Sequence, residues 1–463
     1  MRRAALLCAL LAPAAARAQA PTPVQRLARE VLGQLVAINT THEDGNTTWA
    51  AESLAARFRA AGFPAADVLV LGPADQKDRN LVVRYRGRGA ARPLLVLAHL
   101  DVVQALPSDW SKPPFQLTED GGYFYGRGVE DVKGPTAMVV ASMLQLKREG
   151  FVPDRDIVLV LAAGEEAEAS YAGIVWLLAE HRDLLDAGYA INVDAGGGEL
   201  DGDRPRAFSV QAAEKIYFTV TFTVRDAGGH SSRPGPTNAI VTLARALDRL
   251  AAYHFPVRLN VISRAYFEGQ AALDPARAAE FRALFREPPD PAAVERLSAE
   301  NRFWGAVLRT TCVPTRLQAG HADNALPQFA QATVNCRLLP DESPDSVLAT
   351  LARVVGDTAV HIAVTDSAKA SPPTPLAPDL ARTLERVVRE TWGPVPIVPV
   401  MEAGATDGLY LRLAGIPVYG VSGQFLAPED DRAHGRDERV PVRRFDEGTT
   451  FQYRLLRILT GGR

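Results

Sequence analysis

Three short apolar runs in this chain each end in acidic residues or histidine, and this pattern constrains the fold more than any other feature. The runs are "PLLVLAHLD" (93–101), "RDIVLVLAAGEE" (155–166) and "GYAINVDAGGG" (188–198). Continuous apolar runs of this length are typical of strands that are buried on both faces. A helical pattern over 135–150 separates the first two runs. The sequence therefore predicts an α/β fold with a mixed, largely parallel sheet sandwiched by helices.

The patterning changes after residue 213 and indicates an inserted α+β domain over residues 214–366. Its strand-like segments are "KIYFTVTFTVRD" (215–226) and "FAQATVNCRLLP" (329–340), and "NAIVTLARALDRLAAY" (238–253) is an amphipathic helix. A charged, Ala-rich and helical segment spans about 265–305 within it. The surrounding domain then comprises residues 21–213 and 367–463, with a Pro-rich linker where it resumes.

The first 20 residues, "MRRAALLCALLAPAAARAQA", have the layout of a secretory signal peptide. We expect cleavage after Ala20 and export to the periplasm or the medium; the alternative is a buried N-terminal helix. Later apolar runs are too short to span a bilayer, so no membrane span is expected. The formal net charge is −3 and no basic stripe stands out, so nucleic acid is not an expected partner.

Two cysteines, Cys312 and Cys336, each lie 12 residues from Asn324 in a predicted hairpin. A turn centred on Asn324 would place them opposite each other, within disulfide range. An oxidising compartment permits that bond, and two buried free thiols are the alternative.

Acidic residues and histidines fall where the predicted strands and loops end. Since ligand sites in open α/β sheets form at the carboxyl ends of strands, residues far apart in sequence can converge there. Unpaired carboxylates beside a core are costly, and a metal ion would compensate their charge. Imidazole and carboxylate ligands without thiolates suit zinc or a similar divalent ion, and their number suits two ions that share a carboxylate. The candidates are His99, Asp101, Asp131, Glu165, Glu166, Asp194 and His434.

Nine motifs in this chain resemble those of the di-zinc amidohydrolases and exopeptidases. That family includes glutamate carboxypeptidase, acetylornithine deacetylase, succinyl-diaminopimelate desuccinylase and aminoacylase. The motifs span nearly all of the mature chain in family order, and as a set they are highly specific. They are "HLDVV", "GRGVEDVKG", "GEEAEAS", "NVDAGG", "GGHSSRPGPTNAI", "ADNALP", "CRLLP", "GATDGLYLRLAGIPVYGVSG" and "HGRDERVPV".

The resemblance implies how the candidates divide their roles between two Zn²⁺ ions, for which Co²⁺ or Mn²⁺ could substitute. One ion would be held by His99 and Asp194, and Asp131 would bridge it to the second. The second ion would be held by Glu166 and His434.

The family further implies that Glu165 is the catalytic base and that Asp101 orients His99 through its other ring nitrogen. It also implies a cis peptide bond between Asp131 and Val132. The paired ions would activate a water that attacks an amide carbonyl, and Glu165 would carry the proton to the leaving amine.

The inserted domain would act as a lid and as the interface of a homodimer. His230 would donate to the oxyanion in the partner's site. Asn324, Arg337 and the loop with Gly404 and Thr406 would contact the substrate carboxylate.

A carboxypeptidase, a dipeptidase and an N-acyl-amino-acid hydrolase all cleave an amide next to a free carboxylate, so small peptides and N-acyl amino acids are the expected substrates. Two alternatives lie outside this class. One is a different class of zinc aminopeptidase with a similar ligand order. The other is an exported binding protein that is catalytically silent.

Overall fold

The computed structural model describes residues 20–166, 171–366, 368–427 and 430–461. The predicted signal peptide therefore lies outside the described residues, apart from Ala20. Within the described ranges, no helix combines the length and the apolar character that crossing a membrane requires.

The helices alternate with strands through most of the chain. They are α1 (Pro23–Ala37), α2 (Thr47–Ala60), α3 (Lys133–Arg148), α4 (Gly173–Glu180), α5 (Ala239–Ala252), α6 (Val261–Leu273), α7 (Ala278–Ala283), α8 (Pro291–Glu300), α9 (Arg302–Val307), α10 (Pro344–Val355), α11 (Pro378–Trp392), α12 (Gly408–Leu413) and α13 (Val442–Thr460).

Within the described residues, the strands form one large sheet, one smaller, four-stranded sheet, one three-stranded sheet and one two-stranded sheet. They are β1 (Val68–Leu71), β2 (Asn80–Tyr85), β3 (Leu94–His99), β4 (Thr118–Asp120), β5 (Tyr123–Tyr125), β6 (Ile157–Ala162), β7 (Tyr189–Asn192), β8 (Gly197–Asp201), β9 (Arg204–Glu214), β10 (Ile216–Arg225), β11 (Gly229–His230), β12 (Thr311–Ala319), β13 (Ala325–Leu326), β14 (Phe329–Leu338), β15 (Val360–Asp366), β16 (Ile397–Glu402), β17 (Val418–Gly420), β18 (Phe425–Leu426) and β19 (Arg439–Pro441). The three-stranded sheet has the order β19-β5-β4, and the two-stranded sheet is β11-β13.

The large sheet is mixed, with a parallel centre, as the apolar runs predict. Its order is β1-β2-β6-β3-β7-β17-β9-β8-β18, and β16 pairs with β9. The four central strands, β6 to β17, are mutually parallel. Leu94 and Val96 of β3 pack in the core under α1, α3 and α13, whereas Leu95 and Leu97 pack with α4 and α12 on the other face. Helices on both faces explain why these strands are apolar at almost every position before their carboxyl ends.

The smaller sheet has the order β12-β14-β10-β15 and is antiparallel. Alternate residues of β10, from Ile216 to Val224, pack against α5 and α10. The other face carries polar side chains such as Thr219 and Asn335. Cys312 lies opposite Cys336 across β12 and β14, and the two are joined in a disulfide.

Helices α6–α9 pack against the large sheet, although their segment lies within the predicted range of the inserted domain. Phe267 and Leu297 share a core with Val398 and Val400 of β16 and with Ala212 of β9. The predicted boundaries fall at the last residue of β9 and at the end of β15. Those boundaries stay a prediction.

Candidate metal centre

Three neighbouring parallel strands bring polar side chains to one edge of the large sheet. β3 lies between β6 and β7, and it is parallel to both. His99 is the last residue of β3, Glu165 and Glu166 follow β6, and Asp194 follows β7. Because the carboxyl ends of parallel strands share one edge, these residues meet there.

Asp131 lies between two imidazole rings. Its Oδ1 is 3.1 Å from His99 Nε2, and its Oδ2 is 3.0 Å from His434 Nε2. The loop before α3 carries Asp131, and the loop before β19 carries His434. The Asp131–Val132 peptide bond is cis, as the resemblance implies. Each carboxylate oxygen thus faces a different donor group, which is the arrangement of a bridging ligand.

Among the described residues, two of the three groups of donor atoms share Asp131, and the third group comprises His99, Glu165 and Glu166. His99, Asp131 and Asp194 make one group that shares Asp131, and Asp131, Glu166 and His434 make the other; within each, the atoms lie within 4.8 Å of one another. His99 Nε2 is 3.4 Å from Asp194 Oδ1, and His434 Nε2 is 2.9 Å from Glu166 Oε1. Nitrogen and carboxylate donors in two groups with a common carboxylate fit two divalent cations.

The electrostatics of this cluster reflect several buried carboxylates around two imidazoles. Burial raises the pKa of Asp194 to about 6, although His99 opposes the shift. Burial also raises the pKa of Glu165 well above its usual range. Burial alone would lower the pKa of His99, but Asp194 and Asp131 hold it well above its usual value. Hydrogen bonds to Asp131 and Glu166 raise the pKa of His434 to about 10. Carboxylates crowded in this way need compensating positive charge.

Asp101 contacts the other ring nitrogen of His99 through its backbone carbonyl, and its carboxylate bonds elsewhere. His99 Nδ1 lies 3.0 Å from the backbone carbonyl oxygen of Asp101, whereas the nearest carboxylate oxygen is 4.0 Å away. That carboxylate accepts the backbone N–H groups of Gly164, Glu165 and Glu166 at 2.9, 3.3 and 2.9 Å. Three converging N–H donors satisfy a buried carboxylate better than one ring N–H does. The side chain of Asp101 therefore positions the loop that carries the predicted base.

Glu438 holds the loop that carries Asp131 in the same way, and the sequence analysis did not identify this residue. Its carboxylate is fully buried and lies 2.6 Å from Arg127 Nη1. It also accepts the backbone N–H groups of Gly128, Glu130 and Asp131 at 2.9, 2.8 and 3.1 Å. The signal was present in "HGRDERVPV", where Glu438 follows His434 by four residues. The sequence alone, however, does not show that an acidic residue in a charged loop will be buried.

Glu214 is a second buried carboxylate that the sequence analysis did not identify. It binds Thr406, which was predicted to contact substrate. Glu214 Oε2 accepts both the backbone N–H and the hydroxyl of Thr406 at 3.0 Å, and Oε1 lies 2.8 Å from Arg412 Nη1. The predicted contact of this loop with the substrate carboxylate stays a prediction, but the Thr406 N–H group is already bonded and is not free to make that contact. Thr406 instead fixes the loop that begins at Gly404.

A cavity of about 1770 Å³ opens onto both donor groups. Glu165, Arg337, Gly404 and Thr406 line this cavity. The Arg337 guanidinium lies 4.5 Å from the Tyr217 ring centroid, and its Nε donates to an amide oxygen at 3.3 Å. Among the described residues, no carboxylate forms an ion pair with Arg337.

His230 and Asn324 lie together, away from the cavity of their own chain. His230 pairs with Ala325 between β11 and β13, and the Ser231 N–H donates to the Asn324 carbonyl at 3.0 Å. Both side chains are exposed, and neither lines the cavity. The structure therefore does not bring these two predicted residues to the metal-binding groups of the same chain.

Comparisons with known proteins match this chain over most of its length. A sequence model of Peptidase family M20/M25/M40 matches residues 95–458. The N-fatty-acyl-amino acid synthase/hydrolase PM20D1 of Homo sapiens is 29% identical over 380 residues, which cover 79% of this chain and 74% of that protein.

Two solved structures have the same fold. The M20 family metallo-carboxypeptidase Sso-CP2 from Sulfolobus solfataricus aligns with a TM-score of 0.71 and 16% identity, covering 93% of this chain and 98% of that one. The YXEP protein of Bacillus subtilis, described as a dinuclear metal binding peptidase from the M20 family, aligns with a TM-score of 0.57 and 13% identity. That alignment covers 94% of this chain and 98% of the other.

Proposed function

The chain belongs to peptidase family M20/M25/M40, and we propose that it is an exported, zinc-dependent hydrolase of N-acyl amino acids. The observation that carries this proposal is a shared cavity. Two metal-binding donor groups, the carboxylate of Glu165 and the unpaired guanidinium of Arg337 all face it. Such a cavity can hold an amide beside the donor groups and a free carboxylate against the arginine. Similarity to the human N-fatty-acyl-amino acid synthase/hydrolase favours N-acyl amino acids over dipeptides.

The proposed ligands are those that the donor geometry groups together. His99 and Asp194 would hold one Zn²⁺, Glu166 and His434 would hold the other, and Asp131 would bridge them. When bound, such ions lower the pKa of a water molecule and polarise a carbonyl oxygen.

Glu165 is the proposed general base because it lines the cavity next to these ligands, on the loop that Asp101 holds. Its carboxylate accepts a proton from the attacking water and delivers the proton to the leaving amine nitrogen. The hydrogen bond from the Glu165 N–H to Asp101 fixes the backbone from which this side chain reaches the cavity.

Arg337 is the proposed anchor for the substrate carboxylate. A planar guanidinium binds a carboxylate with two parallel hydrogen bonds, which fixes the direction of the scissile amide. The Tyr217 ring restricts where the guanidinium can move. Gly404 lines the same cavity, on the loop that Glu214 fixes through Thr406.

We further propose a homodimer formed through the inserted domain, in which His230 and Asn324 reach the partner's cavity. Support comes from their exposure and from the free edge of the smaller sheet at β12. On that strand, Val313 and Leu317 are 55% and 69% exposed. An unpaired edge strand that exposes two large apolar side chains can pair with another chain.

Export is proposed from the N-terminal signal sequence. The disulfide between Cys312 and Cys336 supports it, because such bonds persist in oxidising compartments.

The decisive experiment measures hydrolysis of N-acyl amino acids and dipeptides by zinc-loaded protein, with Glu165→Gln as the matched variant. We expect hydrolysis of N-acyl amino acids, and a loss of about 10²–10⁴-fold in kcat for the variant with zinc content unchanged. A variant that keeps full activity would refute the role of Glu165. Bound zinc without hydrolysis of any substrate would favour the silent binding protein.

A further inference from the structure

Lys215 lies where the chain passes from the large sheet to the smaller sheet, and the proposed chemistry gives it no role. It is the single residue between β9 and β10, and it is 1% exposed. A lysine is almost never buried so completely unless its polar atoms have partners. The partners of this side chain therefore show which parts of the molecule it holds together.

Three acceptors from one other segment surround the side-chain nitrogen of Lys215. Nζ donates to the carbonyl oxygens of Ala306 and Arg309, each at 2.8 Å, and to Thr311 Oγ1 at 3.2 Å. A lysine ammonium group carries three N–H donors, so each donor can have its own acceptor. Among the residues that the structure describes, no carboxylate forms an ion pair with this nitrogen. Its bonds join two backbone segments and do not neutralise an acid.

That segment, residues 306–311, is another place where the chain passes between the two sheets. Val307 is the last residue of α9 and packs in the core on the large sheet, whereas Thr311 begins β12 of the smaller sheet. The backbone N–H of Lys215 also donates to the carbonyl of Glu402, at the end of β16, at 3.0 Å. Lys215 thus bonds two crossings of the chain to each other and to the large sheet.

Both crossings lead directly to the strands that flank the proposed substrate anchor. Thr311 of β12 lies opposite Arg337 of β14, and on the other side Tyr217 of β10 lies opposite the same residue. These two neighbours of Arg337 are the first residue of β12 and the second residue of β10. The position of Arg337 relative to the large sheet therefore depends on the junction that Lys215 holds.

We propose that Lys215 is a positioning residue for the substrate carboxylate: it fixes the smaller sheet on the large one so that Arg337 faces the donor groups. This inference rests on the proposed function and adds a residue that acts through Arg337, since Lys215 is not among the described residues that line the cavity. A displaced guanidinium keeps at most one of its two hydrogen bonds to a carboxylate. Loss of a hydrogen bond to a charged group lowers affinity by about 10–100-fold.

The test replaces Lys215 by methionine, which has a similar length but no donor. KM of the zinc-loaded full chain is measured for N-acetylalanine and for its carboxamide. We expect KM to rise by about tenfold for N-acetylalanine and to stay unchanged for the carboxamide, with unchanged kcat and zinc content. Val347→Ala is the control for lost stability, because Val347 is fully buried in the core of the smaller sheet but belongs to α10 and not to the junction. That control lowers the free energy of unfolding and leaves both KM values unchanged.

A double-mutant cycle with Arg337→Ala separates positioning from a general loss of structure. Because Lys215 acts through Arg337, Lys215→Met has no further effect on KM for N-acetylalanine once residue 337 is alanine. Additive effects of the two substitutions would overturn the inference. An unchanged KM in Lys215→Met, or an equal rise for both substrates, would overturn it as well.

If Lys215→Met does not fold, Thr311→Val takes its place, because it removes one acceptor of Lys215 on the strand that pairs with Arg337. KM for N-acetylalanine then rises by at least about threefold, and an unchanged KM contradicts the inference. Failure of the proposed function looks different from either result. The unsubstituted protein then hydrolyses neither substrate, or Arg337→Ala leaves KM unchanged, and the role of Lys215 falls together with that function.

Discussion

Replacing Glu438 by glutamine removes the charge that holds the loop of Asp131. The carboxylate pairs with the buried Arg127 at 2.6 Å through Oε2, and its Oε1 accepts the N–H groups of Glu130 and Asp131. In the variant, the amide oxygen will face Arg127, since a buried guanidinium needs an acceptor. The amide NH₂ group then faces two backbone donors, which lose their acceptor.

The expected cost follows from this geometry. Breaking a buried ion pair by neutralising one partner costs about 3–5 kcal/mol. We expect the free energy of unfolding, measured by urea titration, to fall by about that amount. Because the Asp131 backbone loses its anchor, zinc affinity measured by chelator competition should fall by about 10–100-fold.

Glu390→Gln is the control, because it makes the same Glu-to-Gln substitution in an exposed ion pair. Glu390 pairs with Arg386 at 2.9 Å on the surface of α11, and both side chains are exposed. Such helix pairs contribute about 0.3–0.5 kcal/mol. If Glu438→Gln lowers stability by no more than Glu390→Gln does, and zinc affinity is unchanged, the positioning role of Glu438 is refuted.

Four further predictions address other parts of the molecule. Asp101→Asn should lower kcat by about 10–100-fold, since one of its two acceptor oxygens is lost; unchanged kcat would contradict its role in holding the base loop. Arg337→Ala should raise KM for N-acyl amino acids but not for their carboxamides, and equal effects on both would exclude it as the carboxylate anchor. Burial lowers the pKa of Lys215 to about 7 from 10.5, so the unfolded chain binds more protons between these values; the free energy of unfolding should therefore rise from pH 7 to pH 10, and Lys215→Met should flatten that rise. Inactive His230→Ala and Glu165→Ala chains should regain activity when refolded together, whereas a mixture without activity would count against a site shared between subunits.

The local sequence pattern predicts the large sheet and the edge at which the ligands meet. The run ending in His99 is buried at every position of β3, and the runs ending before Glu165 and Asp194 form its two neighbours. Periodicity and length suffice for such strands because burial on both faces requires apolar residues throughout.

Long-range contacts account for what the sequence did not predict. Glu214 and Glu438 have partners about 190 and 310 positions away, so no local pattern marks them as buried. His99 contacts the backbone carbonyl of Asp101 rather than its carboxylate, because the N–H groups of the Glu165 loop bind that carboxylate. Local patterning likewise predicts helices near 265–305 but not their packing against β16.

Anomalous diffraction at the zinc edge from crystals of the zinc-loaded protein tests the two-metal site most directly. We predict two peaks about 3.5–4 Å apart on either side of the Asp131 carboxylate. One peak should lie within bonding distance of His99 and Asp194, and the other within bonding distance of Glu166 and His434. A single peak, or peaks that do not share Asp131, would contradict the proposed centre.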